Sequence, residues 1–435
     1  MLRLNITSSF CCIVAFSFFC TNNLVAQDTT YFKEFNIDLE FRPRAEYRDG
    51  YKQLKNDTTS PSYFVNQRTR LNITYQTDKL IFHTSLQDIR LYGQTGQFSS
   101  SGSIGVFETY IEPILSKTTS IRIGRQKLDL DNNRLFSPAD WSQQSRAHEG
   151  IRFIYKNKKV LSEILGAFSQ SNENVFQTNY SPMGFNNYKM LGVHHLKWQV
   201  SEKTTLTTIN ATDGFEHKTN QQVLFLRATS GGRIEYKTNK FYATISGYYQ
   251  YGNTPNGVNL SAFYVQPELK YKPTEKLTTW LGAELLSGDD ASKKSKVSNS
   301  FEPLYGVAHR FMGRMDYFTS FPKDVKNGGL INPYLFIQYA FSKKCSIKND
   351  AHLFYTQNNV LDKNNIIIHP FLAFENDISI KYKFNEFTTL DGGFAFMLAG
   401  KSMETIKEGN SSLTPTWAFI MITFKPELFH YKSKQ

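Results

Sequence analysis

The segment FNIDLEFRPRAEYR, Phe35 to Arg48, decides the fold. Its odd positions carry Phe35, Ile37, Leu39, Phe41, Pro43, Ala45 and Tyr47, and its even positions carry Asn36, Asp38, Glu40, Arg42, Arg44, Glu46 and Arg48. Side chains alternate faces along a strand, so one face is apolar and the other polar or charged throughout. A secreted β-sandwich would cover the apolar face with a second sheet. A transmembrane barrel would give it lipid and give the charged face a wet lumen.

The same period recurs along the chain. In YFVNQRTRLNITYQ, Tyr63 to Gln76, the residues Val65, Leu71, Ile73 and Tyr75 oppose Arg68, Arg70, Asn72 and Thr74. Phe107 to Glu112, Phe241 to Gly252 and Phe374 to Lys383 alternate likewise. Less regular strands are expected near 80–92, 119–128, 149–156, 160–169, 188–200, 204–213, 225–238, 260–272, 276–287, 330–342, 345–357, 387–399 and 416–424. That makes about eighteen in all. No segment sustains a helical period. Short turns (YKNKK, KPTEK, TNK, FSKK, FNEF) alternate with long connections at 49–61, 129–148, 170–187, 287–304 and 401–414. Such alternation fits periplasmic turns and extracellular loops, with 287–304 among the latter. The expected fold is therefore all-β: a single transmembrane antiparallel β-barrel of about eighteen strands.

Composition agrees. The chain of 435 residues has 36 Phe and 24 Tyr but only 4 Trp, and a mean hydropathy of −0.42. Abundant aromatics with a polar average suit strands shared between lipid and water. The start reads as a secretory signal over residues 1–26: Arg3, the apolar run Phe10 to Cys20, and a cleavage point near Ala26, although Leu24 is not the small residue preferred there. Residues 27–435 would then form the barrel. Without Arg3 the mature chain keeps 49 basic and 38 acidic residues, a net +11. Of the four cysteines Cys345 alone would remain, so no disulfide framework is available.

The densest stretch is IRIGRQKLDLDNNRLFSPADWSQQSRAHEGIRFIY, Ile121 to Tyr155. Its Gly124-Arg125-Gln126, Arg134-Leu135, Trp141, Arg146 and Glu149-Gly150-Ile151-Arg152-Phe153 resemble the alginate export family of outer-membrane porins, with Glu149 where that family usually has Asp. A second stretch, Leu285 to Phe318, is similar to the family at Ser287, Gly288, Asp289, Phe301, Pro303, Leu304, His309, Gly313 and Asp316, and a third at Glu375-Asn376-Asp377. The resemblance runs from about residue 35 to the end. It implies an eighteen-stranded barrel in a Gram-negative outer membrane, passing an anionic exopolysaccharide or a related small acid through an arginine-rich lumen.

Arginine suits that task, because its planar fork binds a carboxylate with two hydrogen bonds and never loses its charge. The residues placed on the substrate path are Arg42, Arg44, Arg68, Arg70, Arg90, Arg122, Arg125, Arg152 and Arg233, with Asp38, Glu40, Asp88, Glu375 and Asp377 as acidic partners beside Glu46, Glu108 and Glu112. Each arginine can equally be barrel cement, paired across strands. Arg125 shares the parity of Ile121 and Ile123, so a bulge at Gly124 is expected to turn it inward. The loop 129–148 is a candidate constriction, where Arg134, Trp141 and Arg146 anchor the loop or touch substrate. His309 and Asp316 read as a hydrogen-bonded loop anchor.

Other functions find little support. No G-x-S-x-G occurs. After His148-Glu149 the zincin position is Arg152. His194 and His195 point to opposite faces of a strand. A nucleic-acid partner does not fit dispersed basic residues on an exported chain. No cofactor and no metal are expected. The alternatives left open are a polyuronate exporter served by periplasmic partners, a porin for small organic anions, and an outer-membrane barrel enzyme such as a lipase. Lipid and lipopolysaccharide would surround the wall.

Overall fold

The computed structural model describes residues 32–98, 104–176, 178, 188–217, 220 and 223–434. The expected signal segment, 1–26, lies outside the described residues, as does 179–187 of the 170–187 loop. The strands are β1 (Phe32–Asp49), β2 (Ser62–Thr77), β3 (Leu80–Leu91), β4 (Ile104–Pro113), β5 (Thr119–Gln126), β6 (His148–Lys156), β7 (Val160–Phe168), β8 (Met190–Gln199), β9 (Thr204–Glu216) and β10 (Leu224–Lys237). They continue as β11 (Phe241–Asn253), β12 (Asn259–Tyr271), β13 (Leu277–Leu286), β14 (Val297–Ser298), β15 (Leu330–Ala340), β16 (Cys345–Thr356), β17 (Phe371–Lys383), β18 (Thr388–Ala399), β19 (Thr416–Phe424) and β20 (Glu427–Lys434).

Eighteen of these, β1–β13 and β15–β19, form a closed antiparallel wall, each strand paired with the next. Closure falls on the opening strand. β19 pairs with β1 from Phe41 to Asp49, and β20 takes over from Phe32 to Asp38. Pro426 has no N–H to donate, which interrupts the ladder between β19 and β20, while the register runs on unchanged from Phe41–Phe424 to Asp38–Glu427. The Leu39 N–H reaches the Pro426 carbonyl at 3.1 Å across this break. β20 was not foreseen from sequence. Closure leaves no strand edge, as a lipid environment requires.

The register confirms the two faces of the opening strand. Leu39 faces Leu71 and Ile37 faces Ile73 on the outside, while Glu40 faces Arg70 and Arg42 faces Arg68 on the inside. Ile111, Ile123, Ile151, Phe153, Ile164, Leu281, Phe394 and Ile420 stand exposed on the outer wall. A contiguous apolar surface of this extent is a lipid contact. Connections alternate short and long, so the barrel has a short-turn end and a long-loop end. The connection after β13 runs over 287–329, well beyond the expected 287–304. One six-residue helix, Ser402–Lys407, lies in the loop before β19.

Two sequence assignments need correction. Arg125 does not turn inward. The β5–β6 register runs unbroken from Thr119–Tyr155 to Gln126–His148, and Arg125 stays on the outer face opposite Glu149 at 2.9 Å. The bulge sits one strand earlier, at Phe107, where Ser85 pairs with Glu108 and Leu86 with Val106. Arg125 Nε donates to the Val106 and Phe107 carbonyls, both at 3.1 Å, at this interruption of the ladder. Gly124, with φ +127°, allows the close approach, since a Cβ there would lie 2.4 Å from the Thr109 carbonyl oxygen. Asp88 and Arg90 are also outside the lumen. They pair with Thr69 and Gln67 on the outer face, near the long-loop end of β3, and bond to each other at 2.5 Å.

Gly124→Ala is accordingly expected to destabilise the barrel by about 1–3 kcal/mol. Gly166, which has nothing within 4 Å of an added Cβ, is the control. Urea unfolding in lipid measures both variants, and equal midpoints would refute the account.

Candidate functional site

Two long loops enter the barrel and pack against each other there. The first is 127–147, between β5 and β6. Polar loop backbone withdrawn from water needs partners. The inward side chains of β1 and β2 supply them. Arg42 donates to Gln143 Oε1 at 2.9 Å and to the Ser142 carbonyl at 3.1 Å. Arg44 donates to the Trp141 carbonyl at 2.7 Å and lies over the Trp141 ring at 4.3 Å. Arg68, wholly buried, reaches Ser145 Oγ at 2.9 Å, Asp140 Oδ1 at 2.9 Å and Glu40. Arg70 bonds Ser145 Oγ at 3.2 Å and Gln87 at 2.7 Å. Asp38 accepts from Asn72 at 2.7 Å beside them. These four arginines hold the loop; none stands free in an open path.

On the far side, Asp131 fixes the same loop to the wall. Its carboxylate meets His195 Nε2 and the Thr207 hydroxyl, both at 2.9 Å. His195 Nδ1 lies 3.2 Å from Glu163, which pairs with Arg152 at 2.6 Å. Arg122 pairs with Glu112 at 2.7 Å on the neighbouring wall.

The second loop, 287–329, is held by charges of the opposite sign. The Met315 N–H donates to Glu375 Oε1 at 2.9 Å, and the Arg314 N–H to Asp377 Oδ2 at 3.1 Å. Gly313 has φ +78°, where a side chain is strained, and a Cβ on it would come within 2.2 Å of the Glu375 carboxylate. Ser287 and Asp289 organise the start of the loop. The Ser287 hydroxyl donates to the Asn299 carbonyl at 2.7 Å, and Asp289 accepts from Ser300 Oγ at 3.1 Å.

The loops then join. Phe136 bridges to Tyr305. Arg134 pairs with the fully buried Glu284 at 2.8 Å and donates to the Val307 carbonyl at 2.9 Å. Arg146 donates to the Tyr305 carbonyl and, at 3.3 Å, to that of Gly306. Trp141 stacks on His309 at 4.5 Å, and His309 Nδ1 lies 2.9 Å from Asp316. Arg227, Asp213 and Glu302, which sequence reading passed over, complete the clamp: Arg227 bonds Asp213 at 3.0 and 2.7 Å and also meets Glu302. Glu149 takes no part, since it lies outside with Arg125.

Below the joined loops, toward the short turns, a chamber of about 540 Å³ remains. Asp131, Asn132, Arg310 and Phe311 form its loop side. Its walls carry Arg233, Lys237, Lys270 and Lys348 against Glu235 and Glu268, with Trp280 and Phe336 between them. Of the residues singled out in the sequence for the path, only Arg233 lines it. The inward parity of Lys270 in 260–272 and of Lys348 in 345–357 was the signal that could have found the others.

The sequence matches the alginate export family over residues 26–359. No curated protein matches it. Among solved structures, Acinetobacter baumannii OccAB1 is similar with TM-score 0.63 at 13% identity, covering 91% of this chain and 97% of that one. Pseudomonas aeruginosa OccK2 (OpdF) in complex with glucuronate gives 0.63 at 9% identity, covering 91% and 98%. Pseudomonas aeruginosa OpdK with vanillate gives 0.59 at 10%, covering 91% and 99%. At such identities these structures speak for the fold.

Arg68→Ala would strip the first loop of its contacts at Ser145 and Asp140 and leave buried Glu40 with Lys425, at 2.6 Å, as its close cation, at a cost of about 1–3 kcal/mol. Single-channel conductance is expected to rise and become noisy as the first loop loosens; a wild-type trace would refute the clamp. Asp316 offers a second test. Burial works to raise its pKa, but the His309 ring, Tyr51 hydroxyl and Lys52 hold it below the ordinary carboxylate value. Its contribution to loop closure is therefore full above pH ~4 and lost as pH falls through the lowered folded value. Conductance is expected to rise on that acid limb, and Asp316→Asn should remove the step.

Proposed function

The chain belongs to the alginate export family and is an outer-membrane channel of a Gram-negative bacterium, and from that premise we propose that it conducts carboxylated solutes, acidic sugars foremost, by diffusion. The observation that carries the reading is the basic chamber beneath the loops. Cations there outnumber carboxylates, and the surrounding low-dielectric wall focuses their field on a passing anion. The arginines higher in the lumen are engaged with loop backbone and contribute fixed structure.

A single acidic sugar or short oligomer suits a chamber of this size. The polyuronate reading requires the two loops, which meet above the chamber, to move apart far enough for a polymer, and periplasmic partners to deliver it. The reading as a porin for small organic anions draws support from the same chamber and from the glucuronate and vanillate carried by the two Pseudomonas structures.

Reversal potential in a planar bilayer under a salt gradient tests the proposal. Anion selectivity is expected, weakening as ionic strength rises, with glucuronate reducing the chloride current. A cation-selective current would sink the proposal.

A further inference from the structure

An aromatic floor inside a watery lumen is unexpected, because inward positions of such barrels are polar. Most inward aromatics here are covered by the two loops. Trp280 is not: it stays half-exposed and lines the chamber. Its position follows from register. Lys270, Trp280, Phe336 and Asp350 face one another in a single row across β12, β13, β15 and β16. Phe336 is backed by Tyr334, stacked at 4.5 Å and 16°. Gly282, opposite Tyr334, makes room for that ring: a Cβ there would lie 2.5 Å from it. The tyrosine hydroxyl is tied down by donating to Glu268 at 2.8 Å. The floor is thus rigid.

Two ammonium groups lie over it. Lys270 Nζ lies 4.4 Å from the Trp280 ring centre. Lys348 Nζ lies 4.4 Å from that of Phe336 and 5.4 Å from that of Trp280. Asp350 holds Lys348 at 2.7 Å and thereby fixes where its charge sits. Lys270 is positioned by the indole, with no carboxylate at ion-pair distance among the described residues. Flexible lysine stems can yield these faces to one kind of solute: a six-membered ring that stacks on the aromatics in place of the ammonium groups while its carboxylate keeps both of them as partners. An open-chain acid can use only the lysines.

We propose that Trp280 and Phe336, with Lys270 and Lys348, form a subsite at the short-turn end that selects cyclic carboxylates over acyclic ones. This rests on the reading of the chain as a carboxylate channel and names the feature of the solute it recognises. A sugar acid and an aromatic acid share that feature, so both belong in the test.

The experiment records single channels of the full-length protein in a planar bilayer with glucuronate, benzoate or succinate added. Glucuronate and benzoate are expected to give resolved blocks about tenfold longer than those of succinate. Blocks by only one ring acid would still support the subsite and identify the solute as sugar or aromatic. Trp280→Leu is expected to bring the ring acids down to the succinate level, and Lys270→Gln to shorten all blocks. Should Trp280→Leu fail to assemble, Trp280→Phe keeps a ring and is expected to retain the order of the three acids with shorter ring-acid blocks. Equal dwell times for the three acids on the wild type, or unchanged ring preference in Trp280→Leu, would overturn the subsite. A cation-selective wild type would instead overturn the channel reading beneath it.

Discussion

The structure depends on one constraint: loop backbone carried into a barrel must find hydrogen-bond partners there, because a buried peptide group left unpaired costs more than a made bond returns. The inward charges of the wall are those partners, sorted by sign. Arginines of β1 and β2 meet carbonyls and side-chain oxygens of the first loop. Carboxylates of β17 meet N–H groups of the second. Cations donate and anions accept, so a wall strand's charge decides which side of a peptide it can bind. Mixed charge on the lumenal faces is thus a fitting surface for two specific loops. It also explains why Arg134 and Glu284 tolerate full burial: each has the other, and Arg134 adds a loop carbonyl.

The outer face obeys a different rule. Lipid accepts no unpaired polar group, so deviations from the ladder must be repaired locally. The bulge at Phe107 interrupts pairing, and Arg125 covers the carbonyls beside it while Glu149 balances its charge. An arginine at the bilayer centre would cost about 2–4 kcal/mol. Arg125 is the penultimate residue of β5 at the long-loop end, where that cost falls away. The bulge also gives something inside: Phe107 and Glu108 are both buried, and Phe107 supports the Arg70 guanidinium at 3.9 Å.

Strand number and sidedness were legible because a membrane barrel imposes two solvents on every strand, and Phe35 to Arg48 carries that imprint without a break. Parity propagates only as far as the register is regular. It failed at Arg125, where an odd feature was blamed on Gly124 when the bulge lay on the partner strand. It failed at Asp88 and Arg90, where charge was taken to mean lumen although the strand end had already passed the apolar band. The inward course of 305–329 left no periodic trace, since its order comes from Glu375 and Asp377, some 60 residues away. Lys270, Trp280 and Lys348 belong to three strands and meet only through the register.

The lumen therefore divides along its axis by whether charges are engaged. Toward the long loops nearly every cation named here has a carboxylate or a backbone oxygen, and its field closes on itself over a few ångströms. Toward the short turns Lys237, Lys270 and Arg310 line open space beside a rigid aromatic face. A solute anion feels charges in proportion to how little they are neutralised by their neighbours, and in a low-dielectric wall that difference is amplified. Net charge of the whole chain is then a poor guide to selectivity, and so is the count of lumenal arginines. On the reading proposed above, the selective element is the chamber itself, where the loops end and Lys237, Lys270 and Arg310 line open space.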